Sequence, residues 1–298
     1  LPWYGTLIAT VILAGLGKNV FDPAIQAYVG VRVPFERRGL VVGILELAWA
    51  GSTIIGIPLA GILIDRAGWE TTFLAFGGLA LVFYLLILLF VRKDSGIDSD
   101  GRSRTKTVQL WRDLLKNRTA VGMLIFFFFV GIANDNIFVV YASWLEGSYA
   151  LSLVALGIGT SVIGAAEIIG EVLTALFSDR IGLKRAVVIG GLFSIASYVA
   201  LPLLDKSLPL ALTALFLVFL TFEFMMVCSL SLCTEISPGS RATMMSGVFA
   251  AAGVGRVIGA IVGGPVWLNY GLWGIGAVSG VCTLLGLLAL IWGLKSWR

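Results

Sequence analysis

The chain has 298 residues, of which 58% are hydrophobic and 13% are charged, and its formal net charge at pH 7 is +4. A water-soluble domain of this length could not bury so much apolar surface, which excludes an ordinary soluble fold. The small excess of basic residues fits loops beside a membrane and requires no nucleic acid partner. We therefore expect a protein that lies within a lipid bilayer.

Nine apolar segments follow one another along the chain. Each has the roughly 20 residues that a helix needs to cross a bilayer. The segments run over residues 5–30, 39–64, 70–91, 119–145, 151–177, 186–204, 208–233, 242–267 and 272–294. The pattern predicts an all-α polytopic membrane protein with nine transmembrane helices.

Basic residues are distributed unequally between the two sides of these segments. Seventeen of the 21 Lys and Arg residues fall on one side, whereas Arg66 and Lys206 fall on the other. Loops rich in Lys and Arg usually stay in the cytoplasm. We therefore predict a multi-pass protein of the cytoplasmic (inner) membrane, with its carboxyl terminus in the cytoplasm.

An internal repeat relates the beginning of the chain to its end. A shift of 204 residues places Pro34 on Pro238, Arg37 on Arg241, Gly51 on Gly255 and Trp69 on Trp273. Such a period predicts two six-helix halves related by an axis along the membrane normal. Residues 1–91 would be the remnant of the first half, and residues 119–298 the complete second half. Because the chain begins at Leu1 without a Met, we interpret it as a fragment that lacks three helices.

The two predicted halves are joined by a cytoplasmic linker over residues 92–118. Its first part is polar and charged and contains Gly and Ser, which is typical of a flexible connection. Its second part places Val108, Trp111, Leu114 and Leu115 at helical spacing. This spacing is equally consistent with a short helix in the membrane interface and with an extension of the next transmembrane helix.

The loop FSDRIGLKR resembles the inner-loop motif of the major facilitator superfamily, Gly-x-x-x-Asp-Arg-x-Gly followed by basic residues. The matching residues are Asp179, Arg180, Gly182, Lys184 and Arg185, whereas Ala175 stands where the family usually has its first Gly. The resemblance covers essentially the whole chain and implies a two-half helical bundle with the nine segments as helices four to twelve. It also implies that this loop takes part in gating.

A second motif resembles the Gly–Pro-rich helix of antiporters and efflux pumps. It begins GSTIIGIPLAG, with Gly51, Gly56, Pro58 and Gly61 as the matching residues, and Ile57 separates the usual Gly–Pro pair. The run PFERRGLVVGILELAWAG is similar to bacterial sugar-efflux and drug-efflux permeases. The resemblance implies that the first, fourth and seventh segments line a central cavity.

Ionisable and amide side chains within the apolar segments are candidates for a substrate or proton pathway. A charge costs on the order of 3 kcal/mol at mid-helix on insertion scales. The candidates are Lys18, Asp22, Asn134, Asp135, Asn136, Glu167, Glu223 and Arg256. Since the chain contains no His, a proton relay would have to use carboxylates.

Two groups of candidates have both a structural and a functional interpretation. Lys18 and Asp22 are four residues apart, so they can form an ion pair or contact a solute from one helix face. Asp135 lies between Asn134 and Asn136, and three consecutive polar residues cannot share one face. This run predicts an unwound or cavity-exposed point, with a buried Asp held by neighbouring amides as the alternative.

The remaining candidates predict two charge interactions. Glu223 and Arg256 each lie in the middle of an apolar segment, and we expect them to pair across two helices, in a structural or a proton-coupling role. Glu167 and Glu171 are four residues apart and repel each other. The low dielectric then favours keeping one of them protonated, which makes Glu167 a candidate proton carrier.

These features predict a secondary active transporter that moves a small solute by alternating access. Proton-coupled efflux is the expected mode, and import and a non-transporting sensor or assembly role are the alternatives. An enzyme is not expected, because a chain without His has no His-based triad and no HExxH metal site. We expect a monomer driven by the proton gradient, without cofactor or metal.

Overall fold

The computed structural model describes residues 4–32, 51–90, 104–236 and 241–296. The chain divides into two units, Leu1–Ser52 and Thr53–Arg298. In the first unit, helix α1 covers Tyr4–Arg32 and includes the apolar stretch Ile8–Lys18. Most of its described side chains are exposed.

The described part of the second unit contains eight further helices. In chain order they are α2 (Ile57–Phe90), α3 (Arg104–Lys116), α4 (Arg118–Phe138), α5 (Tyr141–Tyr149), α6 (Leu153–Ile181), α7 (Leu183–Ala200), α8 (Leu208–Ile236) and α9 (Arg241–Gly293). A π-turn at Ser52–Gly56 precedes α2, and 3-10 turns at Leu201–Leu203 and Leu294–Ser296 follow α7 and α9. Helix α4 packs along α9, α8 packs against α6 and α7, and α2 packs against α6.

Six helices in the described ranges are long and apolar enough to cross a membrane. Two of them, Ser52–Phe90 and Thr243–Gly293, have 39 and 51 residues. At about 1.5 Å per residue even the shorter one would reach ~59 Å, against ~30 Å for a bilayer core. Each is interrupted by a glycine with positive φ, Gly68 at 80° and Gly271 at 58°. The interruptions fit two crossings in each stretch, and the total of nine crossings stays a prediction.

The turn between α6 and α7 depends on Gly182. Its φ of 85° and ψ of 130° form a conformation that residues with a Cβ rarely adopt. Its N–H donates to the Ser178 carbonyl at 2.9 Å, and its carbonyl accepts from the Ala186 N–H at 3.0 Å. The glycine of the predicted inner-loop motif therefore lies where one long helix ends and the next begins.

Gly182→Ala is expected to lower the free energy of unfolding by about 1–3 kcal/mol, because alanine is strained in this conformation. A Cβ at Gly182 would meet nothing within 4 Å, so the loss reports backbone strain rather than packing. Thermal unfolding of the purified protein in detergent measures it. Gly147→Ala in α5 is the control, since it also meets open space but lies in a helix. Equal losses in the two variants would contradict the argument.

Helix α3 is a separate helix rather than an extension of α4. Asn117 lies between them, and its side chain caps α4 by accepting a hydrogen bond from the Thr119 N–H at 2.9 Å. The apolar side of α3 packs on protein, since Leu114 is 4% exposed and the Trp111 ring lies against Gly247 of α9. This geometry agrees with the short-helix interpretation, and a position in the membrane interface stays a prediction.

Glycines bring the backbones of α4 and α9 into contact. Gly255, Gly259 and Gly263 repeat every four residues and share one face of α9, opposite Gly131 of α4. A Cβ at Gly263 would lie 2.7 Å from the Asn136 carbonyl oxygen. Small residues allow membrane helices to approach this closely. We call the backbone contact between α4 and α9 at these four glycines the glycine seam. It fixes how the two helices align.

A proline near the start of α2 leaves one backbone carbonyl without its helical hydrogen bond. Pro58 has no N–H, so the Ile54 carbonyl four residues earlier lacks its helical donor. The Ser161 hydroxyl of α6 donates to this carbonyl at 3.1 Å. A Cβ at Gly157 of α6 would lie 3.1 Å from the Pro58 Cα. The two helices therefore meet through backbone contact and one side-chain bond.

Two apolar clusters form the core of the second unit. One surrounds Phe126 and Leu290 and lies toward the predicted cytoplasmic ends of the helices. The other surrounds Trp144 and Ile275 and lies toward the predicted outer ends. Helix α4 runs through both clusters, and its polar residues 134–136 are therefore placed within an otherwise apolar interior.

Candidate functional site

An ion pair joins α4 to α9. The Arg256 Nε donates to the Asp135 Oδ2 at 2.8 Å. The side chain of Asp135 is 13% exposed, whereas that of Arg256 is 52% exposed. The pair therefore has a buried acidic end and an open basic end.

The glycine seam sets the separation of the two charged residues. Gly131 lies one helical turn before Asp135, and a Cβ there would be 3.2 Å from the backbone nitrogen of Arg256. Gly255, next to Arg256, lies against the Phe128 carbonyl. Backbone contact beside both charges holds the two helices close enough for the 2.8 Å bond.

The polar run of α4 is helical, and the unwound point expected there is absent from the structure. Helix α4 continues through residues 134–136, and the chain leaves the helix only after Phe138, at residues 139–140. The unwound form of that expectation was wrong, because the polar side chains lie on different faces of a continuous helix, and the cavity-exposed form stays a prediction. A continuous helix can therefore carry all three residues.

Asn136 connects α4 to the second half of α9. Its Nδ2 donates to the Ile275 carbonyl at 3.2 Å and to the Ser279 Oγ at 3.0 Å. The Ser279 hydroxyl in turn donates to the Ala133 carbonyl at 2.8 Å. The Oδ1 atoms of Asn136 and Asn134 are buried, and no described residue bonds to them.

Tyr198 of α7 adds a hydroxyl to the same region. The residue is fully buried and its hydroxyl has no hydrogen-bond partner among the described residues. It lies within electrostatic range of Asp135. Buried polar atoms normally have partners. Together with the two asparagine oxygens, this hydroxyl marks the surroundings of Asp135 as a region that accommodates a further polar group.

The partner of Arg256 differs from the one that we expected. Arg256 bonds to Asp135, whereas the expected partner, Glu223 of α8, lies against Gly170 of α6. A Cβ at Gly170 would be 2.9 Å from the Glu223 Cβ. The difference has a physical cause, because the glycine seam packs α9 along α4, so the acid on α4 reaches the arginine.

Glu167 takes part in the contact between α6 and α2. The Thr53 hydroxyl donates to the Glu167 Oε2 at 3.2 Å. This bond lies close in sequence to the one between Ser161 and the Ile54 carbonyl. Glu167 therefore links α6 to the π-turn that precedes α2, and the repeat assigns these two elements to different halves. Its role as a proton carrier stays a prediction.

The predicted helix motif contributes to the same contact. Gly51 directly precedes the π-turn and Gly56 ends it. Pro58 lies against α6, and a Cβ at Gly61 would be 2.9 Å from the Leu153 carbonyl oxygen. The second part of the motif thus allows α2 to approach α6 closely.

Two predicted candidates lie on α1, in the first unit. Lys18 has an exposed side chain. The side chain of Asp22 lies outside the described part of the structure. The predicted pair between these residues therefore stays a prediction.

The inner-loop motif is described in part. The Lys184 Nζ donates to the Leu294 carbonyl at 3.0 Å, just after the end of α9, where a positive charge is favourable. Arg180 and Arg185 are exposed, and the side chain of Asp179 lies outside the described part of the structure. The gating role of this loop stays a prediction.

Asp205 makes a polar contact that the sequence did not predict. Its Oδ1 accepts hydrogen bonds from the Trp144 Nε1 at 3.1 Å and from the Tyr149 hydroxyl at 2.6 Å. These bonds tie α5 to the turn that follows α7. No helical register applies to a loop residue, so spacing gave no signal for Asp205.

Ser279, which bonds to Asn136, was also missed, although it is a small polar residue in an apolar segment, and such residues often mark a helix contact.

Comparison with known proteins decides the family. A sequence profile described as Major Facilitator Superfamily matches residues 1–134 and 123–297. The chain belongs to the major facilitator superfamily. This membership confirms the predicted all-α polytopic membrane fold and a transporter class rather than an enzyme. It also places this superfamily protein in a membrane, with a small-molecule solute as its substrate.

Several relatives cover most of this superfamily chain. The uncharacterized MFS-type transporter YceJ of Bacillus subtilis (strain 168) is 26% identical over 291 residues, which are 97% of this chain and 73% of that protein. The multi-drug resistance efflux pump PmrA homolog of Lactococcus lactis subsp. lactis (strain IL1403) is 24% identical over 287 residues, 93% of this chain and 68% of that protein. The putative tartrate transporter of Agrobacterium vitis is 26% identical over 267 residues, 82% of this chain and 58% of that protein.

Proposed function

We propose that this superfamily member is a proton-coupled secondary transporter that moves a small solute across the cytoplasmic membrane by alternating access. The observation that carries the proposal is the ion pair of Asp135 and Arg256, which joins two helices in the apolar interior. Ionisable side chains in such positions are expensive and belong by default to substrate or ion pathways.

Protonation of Asp135 would weaken the contact between α4 and α9. A neutral carboxyl group loses the charge-assisted bond to Arg256, and such bonds contribute about 1.5–3 kcal/mol. The chain has no His, so carboxylates are the groups suited to this proton transfer. Proton uptake at Asp135 is thereby coupled to the packing of two helices, as a switch between inward-facing and outward-facing states requires.

The direction of transport depends on whether solute and proton are exchanged or move together. Exchange would give efflux, which the helix motif from Gly51 to Gly61 favours by resemblance. One relative is named a multi-drug resistance efflux pump homolog. Movement together would give import, and another relative is named a putative tartrate transporter. A cationic dye and tartrate are therefore the two solutes to test first.

For either direction of transport, we propose that the protein is a monomer with its carboxyl terminus in the cytoplasm.

Proteoliposomes that contain the full-length protein and an internal pH-sensitive dye test the proposal. Addition of ethidium or tartrate should change the internal pH if transport is coupled to protons. Asp135→Asn keeps the side-chain volume but cannot ionise. We therefore expect gradient-driven flux to fall to the level of empty liposomes, while exchange of solute for solute continues.

Glu146→Gln is the matched control, because Glu146 is exposed on α5. This variant should couple as the wild type does. No flux of either solute by folded wild-type protein would favour the sensor or assembly alternative. Normal coupling by Asp135→Asn would move the proton site to another carboxylate, with Glu167 next.

A further inference from the structure

The guanidinium group of Arg256 has donor capacity that the ion pair does not use. An arginine side chain has five N–H donors. The bond to Asp135 uses Nε, and the terminal Nη1 and Nη2 groups make no hydrogen bond or ion pair within the described part of the chain. These two nitrogens form the planar fork that binds a carboxylate through two parallel bonds.

The exposed part of Arg256 has to face water rather than lipid. More than half of the side chain is exposed, at 52%, although the residue lies near the middle of the helical stretch 241–270. A charged side chain facing hydrocarbon at mid-helix would cost about 2.5–3.5 kcal/mol. This cost favours a position of the terminal nitrogens in a water-filled pathway that a solute can enter.

The other end of the pair is arranged to accept a proton. A protonated Asp135 gains an O–H donor that needs an acceptor. The Asn134 side chain lies within hydrogen-bonding range of this carboxyl group, and its Oδ1 is buried without a partner among the described residues. A rotation of the Asn134 amide would present this oxygen to the neutral carboxylic acid, which would leave Arg256 available to bind another anion.

The pair has few other ionisable neighbours within the described ranges. Tyr198 of α7 lies within electrostatic range of Asp135, and Cys282 of α9 lies within range of Tyr198, but a phenol and a thiol are normally neutral at pH 7. Glu223 of α8 lies at the α6 contact, against Gly170. The helices α3 and α5 also pack on α4, and their described charges are on exposed side chains, namely Arg112, Asp113, Lys116 and Glu146.

Charge balance determines which states of the site can be enclosed in the membrane. The empty pair is neutral, with one negative and one positive group. A proton alone leaves a net positive site, and a monovalent anion alone leaves a net negative one. With both bound, the site is neutral again. Because burial of a net charge is costly, the empty and the doubly occupied states are the ones that can pass through a closed intermediate.

We infer that Arg256 binds the carboxylate of an organic anion while Asp135 takes up a proton, and that the two cross the membrane together. This inference rests on the proposed transport function and deepens it in two respects. It names organic carboxylates as the substrate class, and it assigns co-transport with protons, and hence import, rather than exchange.

Three probes of similar shape and different charge test the inference with the full-length protein in detergent. They are benzoate, benzamide and benzylamine, with tartrate as a fourth probe, and binding is measured by calorimetry and by the shift in Tm. Benzoate should bind at least about tenfold more tightly than its amide or amine, because the two guanidinium bonds need a negative acceptor. Its affinity should fall by about tenfold per pH unit on the alkaline side, since one proton is bound with each anion.

Variants separate the two roles. Asp135→Asn imitates the protonated acid, so benzoate should bind with an affinity that does not change between about pH 5 and about pH 8. Arg256→Lys should weaken binding, because an ammonium group cannot form the planar fork. The double variant D135N/R256Q carries no unpaired charge, which preserves the fold, and it should not bind benzoate.

Specific outcomes would overturn the inference. One is tighter binding of benzylamine than of benzoate, and another is an equal affinity of the wild type for benzoate at about pH 5 and about pH 8. Benzoate binding by the double variant would also contradict it, as would a failure of the wild type to bind any carboxylate probe. Proton-coupled flux of ethidium that depends on Asp135 would leave the proposed function standing and overturn this inference. Anion binding without any flux would have the opposite meaning, because it would overturn the transport function and leave the anion site.

Discussion

Arg256→Gln is expected to destabilise the protein more than Asp135→Asn, although both changes break the same bond. The first leaves a carboxylate that is 13% exposed without its counter-charge, and the second leaves a guanidinium that is 52% exposed. Removal of one partner of a buried pair costs about 3–5 kcal/mol, and we expect a loss near that range for Arg256→Gln. For Asp135→Asn we expect about 1–2 kcal/mol, because solvent screens the remaining charge.

A double-variant cycle in thermal or denaturant unfolding measures this asymmetry. D135N/R256Q should recover much of the loss of Arg256→Gln, since no charge is left unpaired. Arg66→Gln is the control, because Arg66 is exposed beside the kink in α2 and should be nearly neutral. Equal losses in the two single variants, or a double variant that loses their sum, would show that the pair does not act in this way.

Gly255→Ala should disrupt the packing of α4 on α9. A Cβ at this position would overlap the Phe128 carbonyl, and the three nearest atoms all belong to the backbone of α4. Backbone cannot move aside as a flexible side chain can, so we expect a loss of at least about 1–3 kcal/mol. Because Gly255 adjoins Arg256, the variant should also weaken the ion pair and slow transport.

Gly253→Ala is a control only two residues away on the same helix. A Cβ there meets nothing within 4 Å, so the change should be neutral or slightly stabilising. Detergent stability and proteoliposome flux of the two variants give the comparison. If Gly255→Ala is as stable and as active as Gly253→Ala, the glycine seam does not hold α4 against α9.

The long apolar helices could be predicted because their signal is a sum over about 20 residues. The predicted segment 208–233 corresponds to α8 at Leu208–Ile236, and the predicted gap after residue 267 contains the kink at Gly271. Gly271 lies 203 residues after Gly68, close to the repeat offset. Gly68 and Gly182 both end an Asp-Arg-x-Gly run and both have positive φ. The run therefore indicates a turn at both positions.

The partners within the site could not be predicted in the same way. Which acid reaches Arg256 depends on which helices touch, and a list of mid-segment charges contains no such information. The spacing of Gly255, Gly259 and Gly263 was the available signal, because three small residues on one face indicate a close helix contact. The unwound form of the expectation for residues 134–136 was wrong for a related reason, since the polarity of one helix does not show which neighbouring helices satisfy its side chains.

Pro58 gives the contact between α2 and α6 a property that the glycine seam lacks. If α2 and α6 belong to different halves, as the repeat predicts, the bond from Ser161 to the Ile54 carbonyl has to break whenever the halves separate. A water molecule can replace the Ser161 hydroxyl at that carbonyl with little net change in free energy, because one hydrogen bond is exchanged for another. Close backbone packing has no such substitute. The contact at Pro58 is thus suited to repeated opening, whereas the seam is suited to hold the backbones of α4 and α9 together while the bond between Asp135 and Arg256 beside it breaks and re-forms.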